Sequence, residues 1–130
     1  AEKILQHVLQ YNGNVKESKV LVMGITFKEN VCDIRNSQAA ALVKTLLSYF
    51  VPVEVIDYFA NAAQVQQEYE FPLQSSPSTY YDAVIIAVPH TNYLSFSDEY
   101  FASITKSHAL IADLKGIYRN KITSRAYWSL

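Results

Sequence analysis

VLVMGITFKENVCDIRNS, residues Val20 to Ser37, is the stretch on which the fold turns. Val20, Leu21, Val22 and Met23 form a short apolar run with the composition of a buried strand, and Gly24 ends it. Lys28, Glu29, Asp33 and Arg35 then crowd into a few positions, after which Asn36 or Ser37 stands as N-cap of an apolar helix beginning at Ala39. Strand, charged loop and helix N-terminus in that order is a geometry in which α/β proteins hold anions. Free backbone N–H groups and the helix dipole point into the loop. A lysine at the mouth adds a movable full charge suited to phosphate.

Outward from this stretch the same alternation continues. Upstream, Ile4, Leu5, Val8 and Leu9 lie on one stripe of a helix that Asn12-Gly13-Asn14 stops. No N-cap precedes it, so it reads as the end of a longer helix, the alternative being an ordinary first helix. Strand one is expected from about Lys19 to Ile25. The following helix, Ser37 to Phe50, turns Ala40, Val43, Leu46, Leu47 and Phe50 to a sheet, and Pro52 ends it. Val53, Val55 and Ile56 make a second strand closing at Asp57. Two apolar strands around one helix, with no hairpin turn, imply a right-handed βαβ unit.

Ala60 to Tyr69 predicts a short Gln-rich helix, and Phe71 to Tyr81 a surface loop. Ala83 to Val88 is a third strand, apolar on both faces. Ser95-Phe-Ser-Asp98 resembles a capping box with Asp in place of Glu, opening a helix through Ile104. Ala109 to Ala112 is a fourth strand ending at Asp113, and Ile122 to Leu130 a helix or extended tail docked by Tyr127 and Trp128. The whole predicts an α/β fold: a Rossmann-like, doubly wound parallel sheet in three α/β/α layers.

Length and composition narrow the function. The 130 residues suit one domain with its own core. No apolar run spans a membrane, and no charged-then-apolar leader resembles a signal peptide. A net charge of −1 gives no reason to expect nucleic acid or anionic lipid as a partner. The single cysteine excludes an internal disulfide and fits a cytoplasmic location. Three scattered histidines and one cysteine offer no metal-ligand spacing. With only Gly13, Gly24 and Gly116 available, no G-x-G-x-x-G dinucleotide fingerprint can be written.

Ligands of doubly wound sheets sit beyond the carboxyl ends of the strands. There the sequence places Thr26, Phe27 and Lys28, then Asp57, then His90, then Asp113 and Lys115. Lys28 and Lys115 both follow buried strands and could face one anion; the alternative for each is a solvated surface lysine. Asp57 reads as a cap for the next helix, and His90 as a loop hydrogen bond or strand terminator. Cys32 has no flanking glycine or nearby histidine and reads as a bystander thiol. Arg35 either pairs with Asp33 or Glu29 to hold the loop or contacts a phosphate.

Gly24-Ile-Thr-Phe-Lys-Glu-Asn30, then Asp33-Ile-Arg-Asn-Ser37, Ala87-Val-Pro-His90 and Asp113-Leu-Lys-Gly116, resemble the C-terminal domain of the UDP-glucose/GDP-mannose dehydrogenase family, in particular its bacterial branch acting on UDP-N-acetylhexosamines. The resemblance implies a UDP-sugar-binding domain over residues 15–130, preceded in residues 1–14 by the end of a helix joining it to the rest of the enzyme. It implies that Phe27 and Lys28 touch the UDP-sugar and that Lys115 does so at a position where the family often has arginine. Arg35 by the same resemblance reaches NAD held mainly by an N-terminal domain, and Asp33 positions it. The implied enzyme is a cytoplasmic, homodimeric, NAD-dependent 6-dehydrogenase serving polysaccharide precursor synthesis. Its catalytic cysteine lies outside this stretch, so the fragment alone is expected to be inactive. The alternatives are a stand-alone module binding a phosphorylated ligand and a purely structural dimerisation domain.

Overall fold

A computed structural model describes residues 1–130. Five parallel strands form one sheet in the order β2-β1-β3-β4-β5. They are β1 (Val20–Met23), β2 (Val53–Ile56), β3 (Tyr81–Ile86), β4 (Thr105–Asp113) and β5 (Ala126–Ser129). The helices are α1 (Glu2–Asn12), α2 (Gln38–Ser48), α3 (Ala62–Tyr69) and α4 (Asp98–Ile104). None is long and apolar enough to cross a membrane.

Unbroken apolar runs go to the middle of the sheet because both faces are covered there. Every residue of β1 and β3 is buried. Alternation then splits their side chains between two cores. Val20, Val22, Ala83 and Ile85 pack with Ile4 and Val8 of α1 and with Ala40, Val43 and Leu46 of α2. Leu21, Met23, Val84 and Ile86 pack on the other face with Phe101 and Ile104 of α4, and with Tyr93 and Tyr118. The expected three layers and doubly wound parallel sheet are therefore what the chain forms.

Two local expectations need correction, and a third is decided between its alternatives. The Ser95 cap is displaced: Thr91–Ser95 forms a 3-10 turn, and Ser97 caps α4 by accepting from the Tyr100 N–H. The fourth strand begins at Thr105, directly after α4, where Thr105 is buried and pairs with Tyr81; its polar half, Thr105–His108, hides that start from an apolar pattern. Of the two forms expected for the tail, the chain takes the extended one. Ala126–Ser129 adds to the sheet as β5, in parallel register with Leu110–Asp113. Ser37 does cap α2, accepting from the Ala40 N–H at 3.0 Å.

Candidate functional site at the carboxyl edge of the sheet

From β1 the chain crosses to β2 on one side, then returns past β1 to β3 on the other. The gap between the carboxyl ends of β1 and β3 is thus the topological switch point, where folds of this kind open a crevice. Gly24 makes that meeting possible. It sits at φ 97°, and a Cβ there would lie 2.5 Å from Val88 Cβ and 2.8 Å from the Val88 backbone N. Only glycine brings the two strand exits this close.

Beneath the gap lies a buried acid–imidazole pair. His90 Nε2 is 2.9 Å from Asp57 Oδ2, and both side chains are fully buried. His90 Nδ1 accepts the Asn30 backbone N–H at 2.9 Å. The tautomer that fits carries its proton on Nε2 and donates it to Asp57. Asp57 Oδ2 also accepts the Ile25 N–H at 2.7 Å, while Oδ1 accepts the N–H groups of Phe59 and Ala60. Burial pushes the Asp57 carboxyl up, but the bonds from His90, Ile25 and Phe59 outweigh it and hold the group below its usual range. Asp57 is therefore not the helix cap expected from its position; Asn61 caps α3, accepting from the Gln64 N–H.

Above the pair runs the charged loop. Thr26 is buried and donates to the Lys28 carbonyl at 2.8 Å, whereas Phe27, Lys28 and Glu29 are exposed. Asn30, at φ 62°, exchanges hydrogen bonds with Thr91 through its side chain, at 2.8 and 2.9 Å. Neither Asn30 nor Thr91 stands out in the sequence as a site residue. A signal is present in Asn30, since asparagine tolerates left-handed backbone better than most residues.

The structure separates the expected site residues into two neighbourhoods. Phe27 and Arg35 border one polar hollow with Asp33 and Asn36. Arg35 grips Asp33 through Nε and Nη2, at 3.0 and 2.9 Å, yet its side chain remains 82% exposed. The Arg35 guanidinium holds the Asp33 carboxyl down at about 2. Cys32 is exposed, beside Arg35 and facing Gln64 and Gln67 of α3. Lys115 instead lies on a largely apolar groove of about 300 Å³ between α1 and α2, with Leu42, Leu114 and Trp128. Its backbone is set by Asp113, which is buried and accepts the N–H groups of Gly116, Ile117 and Tyr118. No ion pair in the chain involves Lys28 or Lys115.

Comparison with known proteins fits this geometry. The model of the UDP-glucose/GDP-mannose dehydrogenase family's UDP binding domain matches residues 21–120. The UDP-N-acetyl-D-glucosamine 6-dehydrogenase of Salmonella typhi is 34% identical over 116 residues, covering 88% of this chain and 27% of the relative. Its counterpart from Pseudomonas aeruginosa is 32% identical over 114 residues, with 87% and 27% coverage. The chain thus spans about a quarter of the length of these relatives. Among solved structures, an NDP-N-acetyl-D-galactosaminuronic acid dehydrogenase from Methanosarcina mazei superposes with a TM-score of 0.82 at 17% identity, over 98% of this chain and 28% of that one. The Staphylococcus aureus UDP-N-acetyl-mannosamine dehydrogenase Cap5O gives 0.77 at 22% identity, over 98% and 29%. At such identities the structures speak for the fold.

Proposed function

The chain belongs to the UDP-glucose/GDP-mannose dehydrogenase family, as its UDP binding domain, and from that premise we propose that it holds the nucleotide of a UDP-sugar for an NAD-dependent 6-dehydrogenase. The observation that carries the reading is the pair of unpartnered lysines at the ligand edge of the sheet. Lys28 leaves β1 and Lys115 leaves β4, with β3 between them, so the strand exits are about 10 Å apart. Long flexible arms from both sides can meet one diphosphate between them. Phe27 adds an exposed ring and a backbone carbonyl for the nucleoside.

The residues present do not make a dinucleotide cradle. The β1–α2 turn has no glycine fingerprint, and Asp57, at the place where such folds hold a ribose, already takes four donors. NAD, which supplies the hydride acceptor, is assigned mainly to other parts of the enzyme, and Arg35 is this chain's contact to it, braced by Asp33. Residues 1–14 are the end of the helix leading from those parts, and residues 15–130 the nucleotide-binding unit. The proposed enzyme is a cytoplasmic homodimer making uronic acid precursors of polysaccharide, with a UDP-N-acetylhexosamine as substrate. Cys32 is a bystander. Remote binding energy of this kind becomes rate by fixing where the reacting end lies.

Titrating UDP into the 130-residue chain by calorimetry or amide NMR tests this. Lys28→Ala should weaken binding about tenfold to a hundredfold, the loss of one charge-assisted contact of roughly 1.5–3 kcal/mol. Lys115→Ala should cost less, and the double variant less than the sum. Unchanged UDP affinity in Lys28→Ala would leave the loop a solvated turn.

A further inference from the structure

We propose that the buried Asp57–His90 pair is a positioning device for the nucleotide, a clamp that closes on both ends of the Ile25–Asn30 loop and so presents Phe27 and Lys28 to the ligand. The inference rests on the nucleotide reading above and assigns to it residues from two other strands. At the near end of the loop, Asp57 Oδ2 accepts the Ile25 N–H at 2.7 Å, and Thr26 Oγ1 lies 3.3 Å from His90 Nε2. At the far end, His90 Nδ1 accepts the Asn30 N–H at 2.9 Å. One imidazole with one carboxylate thus holds backbone on either side of the exposed residues.

The arrangement has features of a device, beyond those of a loop contact. The ring is itself held, with Phe59 at 4.8 Å and Tyr93 at 5.4 Å between centroids. Phe59 follows β2, Tyr93 follows β3 and the loop follows β1, so three strand exits converge on one side chain. The two ring nitrogens divide the work, with Nε2–H donating to Asp57 and Nδ1 taking the loop's own N–H. Without the ring, the Ile25 end keeps Asp57 but the Asn30 end loses its acceptor. The far end of the segment bearing Lys28 is then left with the two side-chain bonds between Asn30 and Thr91 and no fixed partner for its backbone N–H. A charge-assisted contact made by a mobile lysine costs more ordering than one made by a pre-set loop, and affinity falls accordingly.

The test compares His90→Ala, His90→Asn, His90→Gln, Thr26→Val and Lys28→Ala in the 130-residue chain. Two readouts apply: amide ¹⁵N relaxation of Phe27, Lys28 and Glu29 without ligand, and UDP affinity. His90→Ala should mobilise these three amides and lose on the order of threefold to tenfold in UDP affinity. His90→Asn, whose side-chain oxygen stands near the Nδ1 position, should restore order at Asn30 and recover much of that affinity. His90→Gln, which can reach Asp57 but offers no acceptor to Asn30, should recover less. If His90→Ala does not fold, Thr26→Val keeps the question open to measurement. It removes the hydroxyl between His90 and the Lys28 carbonyl, and should loosen Lys28 and weaken UDP by a smaller factor. Lys28→Ala should leave the loop ordered while losing affinity, which separates the two ideas. Loop amides as rigid in His90→Ala as in the parent would overturn the clamp. So would UDP affinity within twofold of the parent there while Lys28→Ala loses tenfold. UDP binding indifferent to Lys28 would remove the ligand, and with it the positioning role.

Discussion

Gly24 couples fold and site within a single residue. A methyl group there would meet Val88 Cβ at 2.5 Å and its backbone N and O at 2.8 Å, in a backbone of φ +97°. None of these contacts is the far end of a flexible side chain, so the strand exits themselves would have to part. Gly24→Ala is expected to cost roughly 2–4 kcal/mol. It should appear as a lower urea midpoint with unchanged slope, and an unshifted midpoint would mean that the approach of β1 to Val88 is not required. The sequence shows Gly24 as punctuation but not the partner that makes it obligatory, because the partner comes from a different strand. His90 is similarly half legible. Its place at the ligand edge follows from the end of an apolar run, yet its bond to Asp57 spans 33 positions and nothing local encodes it. Phe27, Lys28 and Arg35 are legible because loop, charge and strand sit side by side in the chain.

Among the elements, β5 is the one that periodicity does not reveal. Its four residues are at most half-buried, and its crossover from β4 contains no helix. Its register comes from its neighbour and from a strap over α4. Asp98, at the start of α4, accepts the N–H groups of Thr123 and Ser124 through Oδ1 and both of their hydroxyls through Oδ2. Arg125 then reaches the Thr105 hydroxyl and the Ala102 carbonyl, and the Tyr127 hydroxyl donates to Asp113. The Ser124 hydroxyl and N–H, with Thr123, hold the Asp98 carboxyl down at about 2. A depressed carboxylate adds stability that is full above its unfolded value, near 3.9, and is lost as pH falls towards 2. Since Asp98 is open to solvent, that contribution is under about 1 kcal/mol. Asp98→Ala should therefore leave the global midpoint nearly unmoved but raise hydrogen exchange at Ala126–Ser129. Protection there equal to the parent would show that pairing with β4 alone holds the tail. The helices α1 and α2, by contrast, are readable to within a few residues from apolar spacing, the stop at Gly13 and the Ser37 cap, whereas α3 is legible in extent but not in its Asn61 cap.

Across the whole molecule, the amino and carboxyl edges of the sheet divide the work, and the amino edge decides how α1 is carried. Ile4 and Val8 are buried against the sheet, which uses up half of the apolar stripe that the sequence offers; Leu9 and Tyr11 stay half exposed. The far end of α1 is fastened by Asp82, a buried carboxylate at the start of β3. It accepts from the Asn12 side chain at 2.8 Å, the Lys19 N–H at 2.9 Å, His108 Nε2 at 3.1 Å and Lys106 Nζ at 3.2 Å. The Tyr11 ring stacks on His108, and His7 Nε2 lies 2.7 Å from the His108 carbonyl oxygen. Burial pushes the Asp82 carboxyl up, but Asn12, His108, Lys106 and the Lys19 N–H together outweigh it and hold it below the usual range. Its contribution is then complete at neutral pH and is lost as pH falls from about 4 through the depressed folded value. Asp82→Ala removes the anion on which these donors converge and should cost roughly 2–3 kcal/mol at neutral pH. Amide protection should fall first along Glu2–Asn12, while β1 and β3 keep theirs. Denaturation of parent and variant across pH gives the decisive curve: the gap between them should narrow steadily below about pH 4, as the parent's carboxylate takes up its proton. A gap of constant size from neutral to acid would mean that the charge on Asp82 is idle and that α1 is held by Ile4 and Val8 alone.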